Sequence, residues 1–392
     1  HAIAQKLVSF HRVASSDRAS NYGTREAIKG QIQENLNEIE PFIGRTIHRK
    51  LFNDIKHYQE AFFSAQEGLF ERRLRRDKVR EGHGDLRAEH ICMTDGIEIF
   101  DTIEFNEGFR YCDVASDIAF LTMDLDFQHA PELADELRDQ YAAKTEDKDF
   151  KRLMPFYECH RACVRGKVDT LKSLEAEVPQ EEREKALARG QRYFRLAYRY
   201  ARPVNRPALI IVCGMIATGK STLAKMLEDT TGFRLKSSDI VRKEFARASP
   251  QERFRESYGQ GIYSRSFSDK TYAALVDEAR KALSEGRGII VDASFKDARH
   301  RELFLKEAES KNIPILFVEC QAGEDEIFRR LKAREHEEDQ VSDATWEVYL
   351  QQRGEFTPLN DIPDQCHLTF DGTMPEDLLS RIPNLLSTNG TY

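Results

Sequence analysis

Residues 208–222, ALIIVCGMIATGKST, set an unbroken apolar run from Ala208 to Cys213 directly against Gly214, four further residues, and then Gly219-Lys220-Ser221. An apolar run of that length bounded by glycine reads as a strand buried on both faces, and Ser221-Thr222-Leu223 opens a helix-forming stretch. Strand, glycine-rich turn and helix in that order leave the N–H groups of the turn and of the first helical turn without partners in the chain. Those groups, with the helix dipole behind them, favour an anion, and the spacing is that of a phosphate cradle. The expected nucleotide-binding residues are therefore Gly214, Ala217, Thr218, Gly219, Lys220, Ser221 and Thr222. Lys220 is the mobile cation for the outer phosphates of ATP, and the Ser221 hydroxyl is placed to ligate Mg²⁺. The plain alternative is a strand-to-helix turn with an ordinary surface lysine.

The same half of the chain repeats the strand-then-helix pattern, with apolar runs at Gly288 to Val291, Ile315 to Cys320 and His367 to Phe370. Strands separated by helices predict an α/β domain over residues 207–385, a parallel sheet flanked by helices. Within it, LKSSDIVRKEF places Asp239 and, one helical turn on, Arg242. A carboxylate beside the γ-phosphate can deprotonate an acceptor hydroxyl, and the arginine can hold the acceptor or the transferred phosphate. The bland reading of Asp239 is an N-cap for a helix over Ile240 to Ala248. Asp292 ends the run GRGIIVD, from which a carboxylate reaches Mg²⁺ through water, or simply caps a helix. Arg299 contacts acceptor or phosphate, or lies on a charged helix start. IFRRLKAREHEEDQVSDATWEVY reads as helical and dense in charge; Arg330 and Arg334 share a helical face, and a lid arginine can neutralise the phosphoryl group in transfer.

At 392 residues the chain is long enough for two domains. The two prolines of ARPVNRP mark a break near Arg206 and leave residues 1–204 as a first domain. That part reads as mainly helical, with Gln31 to Phe42, Leu51 to Phe70, Met154 to Leu174 and Glu181 to Tyr200 at helical spacing. A β-hairpin interrupts it, Ile91 to Met93 and Ile97 to Phe100 around Thr94-Asp95-Gly96. The largest basic cluster, ERRLRRDKVR (Glu71 to Arg80), reads as a solvated helix end rather than a phosphate patch.

A net charge of −8 gives no general attraction for nucleic acid, which makes that partner unlikely without a local basic groove, and suits a cationic acceptor. Seven scattered cysteines read as reduced thiols and point to the cytoplasm; Cys159 and Cys163 lack a second ligand pair and read as core. No stretch approaches the roughly 20 apolar residues that span a bilayer. The first residues have no apolar central block, so no signal peptide is read there. Because the chain opens on His1 rather than Met, sequence upstream of it is expected.

The segments GMIATGKST, SSDIVRKEF and IIVDASF resemble the small P-loop kinases that group with chloramphenicol phosphotransferase, gluconate kinase, the zeta toxins and the 5′-polynucleotide kinases. The resemblance covers residues 207 to about 385 and implies Asp239 as general base and Arg242 as an acceptor-binding residue. GHGDLRAEHI with the following IEIFDTIEFNEGFRYCDVASDIAF resembles the catalytic core of aminoglycoside and choline kinases. It implies Asp85 as the residue accepting the substrate proton, His90 where that group carries a metal-binding Asn, and Asp101 or Glu104 as the downstream metal carboxylate. Asp113 and Asp117 are then structural. Such kinases carry a small β-rich lobe before this helical part, and HAIAQKLVSFHR resembles the first helix of the large lobe. The whole arrangement is similar to bacterial fusions of an aminoglycoside-phosphotransferase-like domain with a P-loop kinase. The implied activity is transfer of the γ-phosphate of ATP to a hydroxyl of a small-molecule acceptor. Its rivals are a kinase acting on nucleic acid or a nucleotide sugar, and a non-catalytic regulator switched by ATP.

Overall fold

The structure, a computed structural model, describes residues 1–16, 22–249, 260–334, 345–373 and 375–387, with Arg334 and Ser387 described in backbone only. Its internal contacts divide the chain into two compact units, His1–Pro203 and Val204–Tyr392.

The first unit is mainly helical, as its 3.6-residue periodicity predicts. Its helices are α1 (Ala2–Val13), α2 (Arg25–Ile39), α3 (Arg49–Ala65), α4 (Glu67–Arg75), α5 (Glu107–Arg110), α6 (Val114–Phe127), α7 (Pro131–Thr145), α8 (Phe150–Lys172) and α9 (Gln180–Ala201). The sequence run from Leu51 to Phe70 is two helices rather than one, because Gln66 leaves the helical region at φ −111° and ψ 25°. Strands β1 (Val79–Glu81), β2 (Ile91–Met93), β3 (Ile97–Ile99) and β4 (Tyr111–Asp113) form two antiparallel pairs. In the hairpin β2–β3, Ile91 lies opposite Ile99 and Met93 opposite Ile97. Phe70, Ile118, Phe156 and Phe194 are fully buried in one core that joins α3, α4, α6, α8 and α9.

The basic run ends α4 with Arg75 and Arg76 exposed, as a solvated helix end should be, but Arg73 departs from that reading. Arg73 is 2 % exposed and forks onto both carboxylate oxygens of Asp113 at 2.8 and 2.5 Å, with a further bond to Asp147. Arg72 and Arg76 both pair with Asp149, Arg75 with Glu71 and Arg80 with Asp77. A charge-dense stretch carrying its own counter-ions offers little to a phosphate backbone.

The second unit holds β5 (Leu209–Cys213), α10 (Lys220–Thr231), β6 (Arg234–Ser237), α11 (Ser238–Phe245), α12 (Arg265–Ser284), β7 (Ile289–Asp292), α13 (Ala298–Ser310), β8 (Ile315–Cys320), α14 (Glu324–Arg334), α15 (Trp346–Glu355), β9 (His367–Phe370) and α16 (Pro375–Ser387). The five strands make one parallel sheet in the order β6-β7-β5-β8-β9. Every residue of central β5 is buried, as its unbroken apolar sequence requires when both faces are covered. Leu209, Ile211 and Cys213 face a core with Tyr272, Leu275 and Phe304 of α12 and α13. Ile210 and Val212 face Leu223, Leu227, Leu379 and Ile382 of α10 and α16. Fully burying each such side chain stabilises the fold by about 1.5–3 kcal/mol, and this fixes the β5 carboxyl end from which the glycine-rich loop springs.

Candidate active site

The loop after β5 needs backbone that most residues refuse. Gly214 has φ +128°, and a Cβ there would meet the carbonyl oxygen of Cys320 at 2.3 Å. Gly219, with φ +97°, caps α10. Ala217 also has positive φ, +58°. The first backbone bond inside α10 runs from Leu223 N–H to the Gly219 carbonyl, so the N–H groups of the helix's first turn lie ahead of the hydrogen-bond ladder.

Side chains then close around the loop. Lys220 donates from Nζ to the Met215 carbonyl at 2.7 Å, and Thr218 donates to the same oxygen at 2.8 Å. Ser221 Oγ donates to Asp292 Oδ2 at 2.7 Å, joining the start of α10 to the end of β7. Thr222 is exposed beside it. Asp292 is 4 % exposed, and burial raises its carboxyl pKa; Lys220 and the Ser221 hydroxyl oppose the shift, while Asp239 adds to it. The Asp239 carboxylate is thus near enough to act on Asp292.

Neither aspartate caps a helix. Ser237 caps α11 by accepting from the Asp239 N–H at 3.3 Å, so the Asp239 carboxylate is free of that duty and about one-third exposed. Asp297 caps α13, five residues beyond Asp292. Helix α11 ends at Phe245, three residues short of the expected Ala248. Arg242 lies 3.5 Å from Asp239, with its guanidinium carbon 5.0 Å from the centre of the Tyr263 ring and its buried Nε without a partner among the described residues. Arg299 is turned away into ion pairs with Asp297 and Asp269.

Of the lid arginines, Arg330 faces the loop. Its Nη1 donates to the Ala217 carbonyl at 3.0 Å and is the nearest atom, at 3.5 Å, to a Cβ placed on Gly219. Glu326 orients it by a bond to Nε at 2.6 Å. Arg329, paired with the same Glu326, is 77 % exposed. The side chain of Arg334 lies outside the described residues, as do residues 335–344 of the expected charged helix.

Three supports were not read from the sequence. Gln352 of α15 accepts from the Ile216 N–H at 2.8 Å, and Tyr349 packs with Ala217, Ile327 and Leu331 beneath the loop. Phe295, buried at φ +49°, donates its N–H to Tyr272 Oη, and its carbonyl accepts from Arg301. Arg301, 0 % exposed, also forks onto Asp361 at 2.9 and 2.6 Å. The Ser294 carbonyl next to Phe295 accepts from Gly214 N–H, so this buried cluster braces the loop.

In the first unit, Asp117 gathers the turn around Asp85. It accepts from the N–H groups of His83 and Gly84 at 3.0 and 2.9 Å and pairs with His11 at 3.1 Å. Burial pushes the Asp117 carboxyl up, but the bond and charge of His11 and the two N–H groups outweigh it and hold the group at about 2. Asp85 Oδ2 accepts from Arg87 at 3.1 and 3.0 Å. His90 Nδ1 meets the Asp85 carbonyl at 2.9 Å, and Nε2 lies 3.3 Å from Asp101. Asp101 is exposed, and Glu104 is exposed with no ion pair among the described residues. The structure brings His90 to Asp101 and leaves Glu104 apart; among the described residues no three His, Cys, Asp or Glu groups converge as a metal site. A cavity of about 370 Å³ opens beside Gly84 and Asp85.

Parallel sheet, β5 loop and α10 define the second unit as a P-loop domain, and residues 209–359 match the AAA_33 family, described as an AAA domain. Over 349 residues the chain is 30 % identical to "Uncharacterized protein Rv2004c" of Mycobacterium tuberculosis, covering 88 % of this chain and 68 % of that one. The chain belongs to the family of that protein. Among solved structures it is similar to a sugar kinase from Janibacter sp. HTCC2649 (17 % identity, TM-score 0.35, 46 % of this chain and 99 % of that one). It is also similar to Chaetomium thermophilum Kti12 in complex with ADP-AlF3 (15 %, 0.36, 46 % and 100 %). Among the described residues no helix is long and apolar enough to cross a membrane.

Proposed function

We propose that the P-loop unit is a kinase that transfers the γ-phosphate of ATP to a hydroxyl of a small-molecule acceptor. The observation that carries the reading is the 2.7 Å bond from Ser221 to the buried Asp292 at the loop's mouth, with the uncapped carboxylate of Asp239 near enough to perturb Asp292. The N–H groups of the loop and of α10 bind the phosphates, and Lys220 exchanges the Met215 carbonyl for their outer oxygens. Asp239 takes the proton from the acceptor hydroxyl, and Arg242, whose buried Nε has no partner among the described residues, orients the acceptor. Arg330, at the Ala217 carbonyl, answers charge that develops on the transferred group, and Arg334 is assigned beside it from the sequence alone.

The donor set fits Mg²⁺: a hydroxyl and a carboxylate supply hard oxygens, and the raised pKa of Asp292 marks a buried charge that a cation would relieve. Ser221 and Asp292 would hold the ion, which when bound draws charge off the β and γ phosphates. The first unit, over residues 1–204, is read as an aminoglycoside-phosphotransferase-like part that binds an acceptor or holds a second kinase-like site; Asp85 at the edge of the cavity supports this. The paired arginines of residues 71–80 weigh against a nucleic-acid acceptor.

The test is incubation of the full chain with γ-labelled ATP, Mg²⁺ and a metabolite extract, with labelled products identified by mass spectrometry. A phosphorylated metabolite lost in both Lys220→Ala and Asp239→Asn is expected. Label passing only to water refutes the kinase reading. A cellular function that survives Asp239→Asn but not Lys220→Ala makes the protein an ATP-switched regulator.

A further inference from the structure

The cavity of the first unit carries polar groups that no described residue satisfies. Among the described residues Asn35, 4 % exposed, has neither its amide nitrogen nor its oxygen bonded, and the Tyr157 hydroxyl and His160 Nδ1 are likewise buried without partners there. Buried polar groups are almost always bonded, so this many on one cavity wall describe a site built for something polar. Its sign comes from Arg161, which lines the same wall at 8 % exposure. Its contacts are Ser116 Oγ at 3.2 Å, the Cys112 thiol and the face of Phe120 at 4.8 Å, and no described carboxylate lies within ion-pair distance. A buried guanidinium without an acid is an unbalanced charge. The acids that share the cavity are already matched: Asp85 by Arg87, Asp113 by Arg73 and Glu38 by Lys167, while Glu34 is exposed. Ile28, Ile32 and Phe109 line the rest.

We propose that this cavity binds a small anion, a carboxylate or phosphate group on an apolar or aromatic body, with Arg161 as its counter-ion. The net charge of −8 and the resemblance to aminoglycoside kinases point instead to a cation. The inference deepens the reading of the first unit as ligand-binding but needs no phosphoryl transfer, because binding without nucleotide reads it.

Four probes sharing one ring, benzoate, phenyl phosphate, benzyl alcohol and benzylamine, are titrated into the full chain by ligand-observed NMR, with and without saturating ADP. Benzoate and phenyl phosphate are expected to bind in both conditions, at least about tenfold tighter than benzylamine. Their order distinguishes a carboxylate from a phosphate ligand. Arg161→Gln weakens both anions by about tenfold or more and leaves benzyl alcohol unchanged. Should Arg161→Gln fail to fold, the isosteric Tyr157→Phe is read instead and is expected to weaken the anions several-fold. Benzylamine binding as well as benzoate, competition of the anions by ADP, absence of binding, or unchanged anion affinity in the folded variant each overturns the proposal. None of these outcomes bears on whether the P-loop unit transfers phosphate.

Discussion

Replacing Gly214 with alanine tests the loop's dependence on backbone freedom against an internal control. At φ +128° an alanine stores about 1–3 kcal/mol of strain. Its Cβ would also stand 2.3 Å from the Cys320 carbonyl oxygen, against a limit near 3.0 Å for real contacts. The loop must therefore shift by more than half an ångström from the end of β8, and overpacking of this kind adds about 1–3 kcal/mol. Gly219→Ala carries the strain alone, since at φ +97° its Cβ would find, among the described residues, only Arg330 Nη1, at an ordinary 3.5 Å. With about 2–4 °C per kcal/mol for a unit of this size, Gly214→Ala should lower the melting temperature of the second unit by about 4–24 °C and Gly219→Ala by about 2–12 °C, each Gly214→Ala value exceeding its Gly219→Ala counterpart. Circular dichroism melts of the full chain, with a fluorescent ATP analogue titrated into each variant, make the measurement. Gly214→Ala melting within about 1 °C of the parent, or above Gly219→Ala, would refute the account of the loop.

The Asp117 carboxyl sits below its ordinary value in the fold, so its stabilisation is present above about pH 4 and lost as pH falls towards about 2. Asp117→Asn should remove about 2 kcal/mol at neutral pH and flatten the acid limb of a urea-unfolding series; an unchanged limb counts against it. Asp292 has the opposite sign: burial raises its pKa, so its ionised form destabilises the nucleotide-free fold at neutral pH. Asp292→Asn should therefore raise the melting temperature while abolishing any Mg²⁺-dependent gain in nucleotide affinity, and a lower melting temperature is the contrary result. Arg330→Gln should reduce turnover about ten- to a hundredfold, whereas Arg329→Gln should leave it within about twofold, as steady-state kinetics with the identified acceptor would report.

What the sequence made legible follows from where the determining partners lie. Strand β5 and its loop could be read because burial on both faces and positive φ act through the residues themselves, with no distant partner needed. Edge strand β6, RLKS, escaped the reading because only Leu235 is apolar in it; its pairing with β7 is a backbone matter that leaves no side-chain period. The aspartates stayed ambiguous for a local reason: a cap and a catalytic carboxylate use the same residue type before a helix, and only the neighbouring Ser237 and Asp297, by taking the caps, separate the two. Arg73 misled because five arginines in ten residues predict solvent, whereas its partners Asp113 and Asp147 stand 40 and 74 residues away. Gln352 was out of reach for the same reason, 136 residues from the Ile216 N–H it accepts from. Arg161 is the limiting case: inside an ordinary helical pattern of α8, it becomes informative only when the fold shows that no acid among the described residues pairs with it. A buried charge is read by its missing partner, and a missing partner is a property of the fold alone.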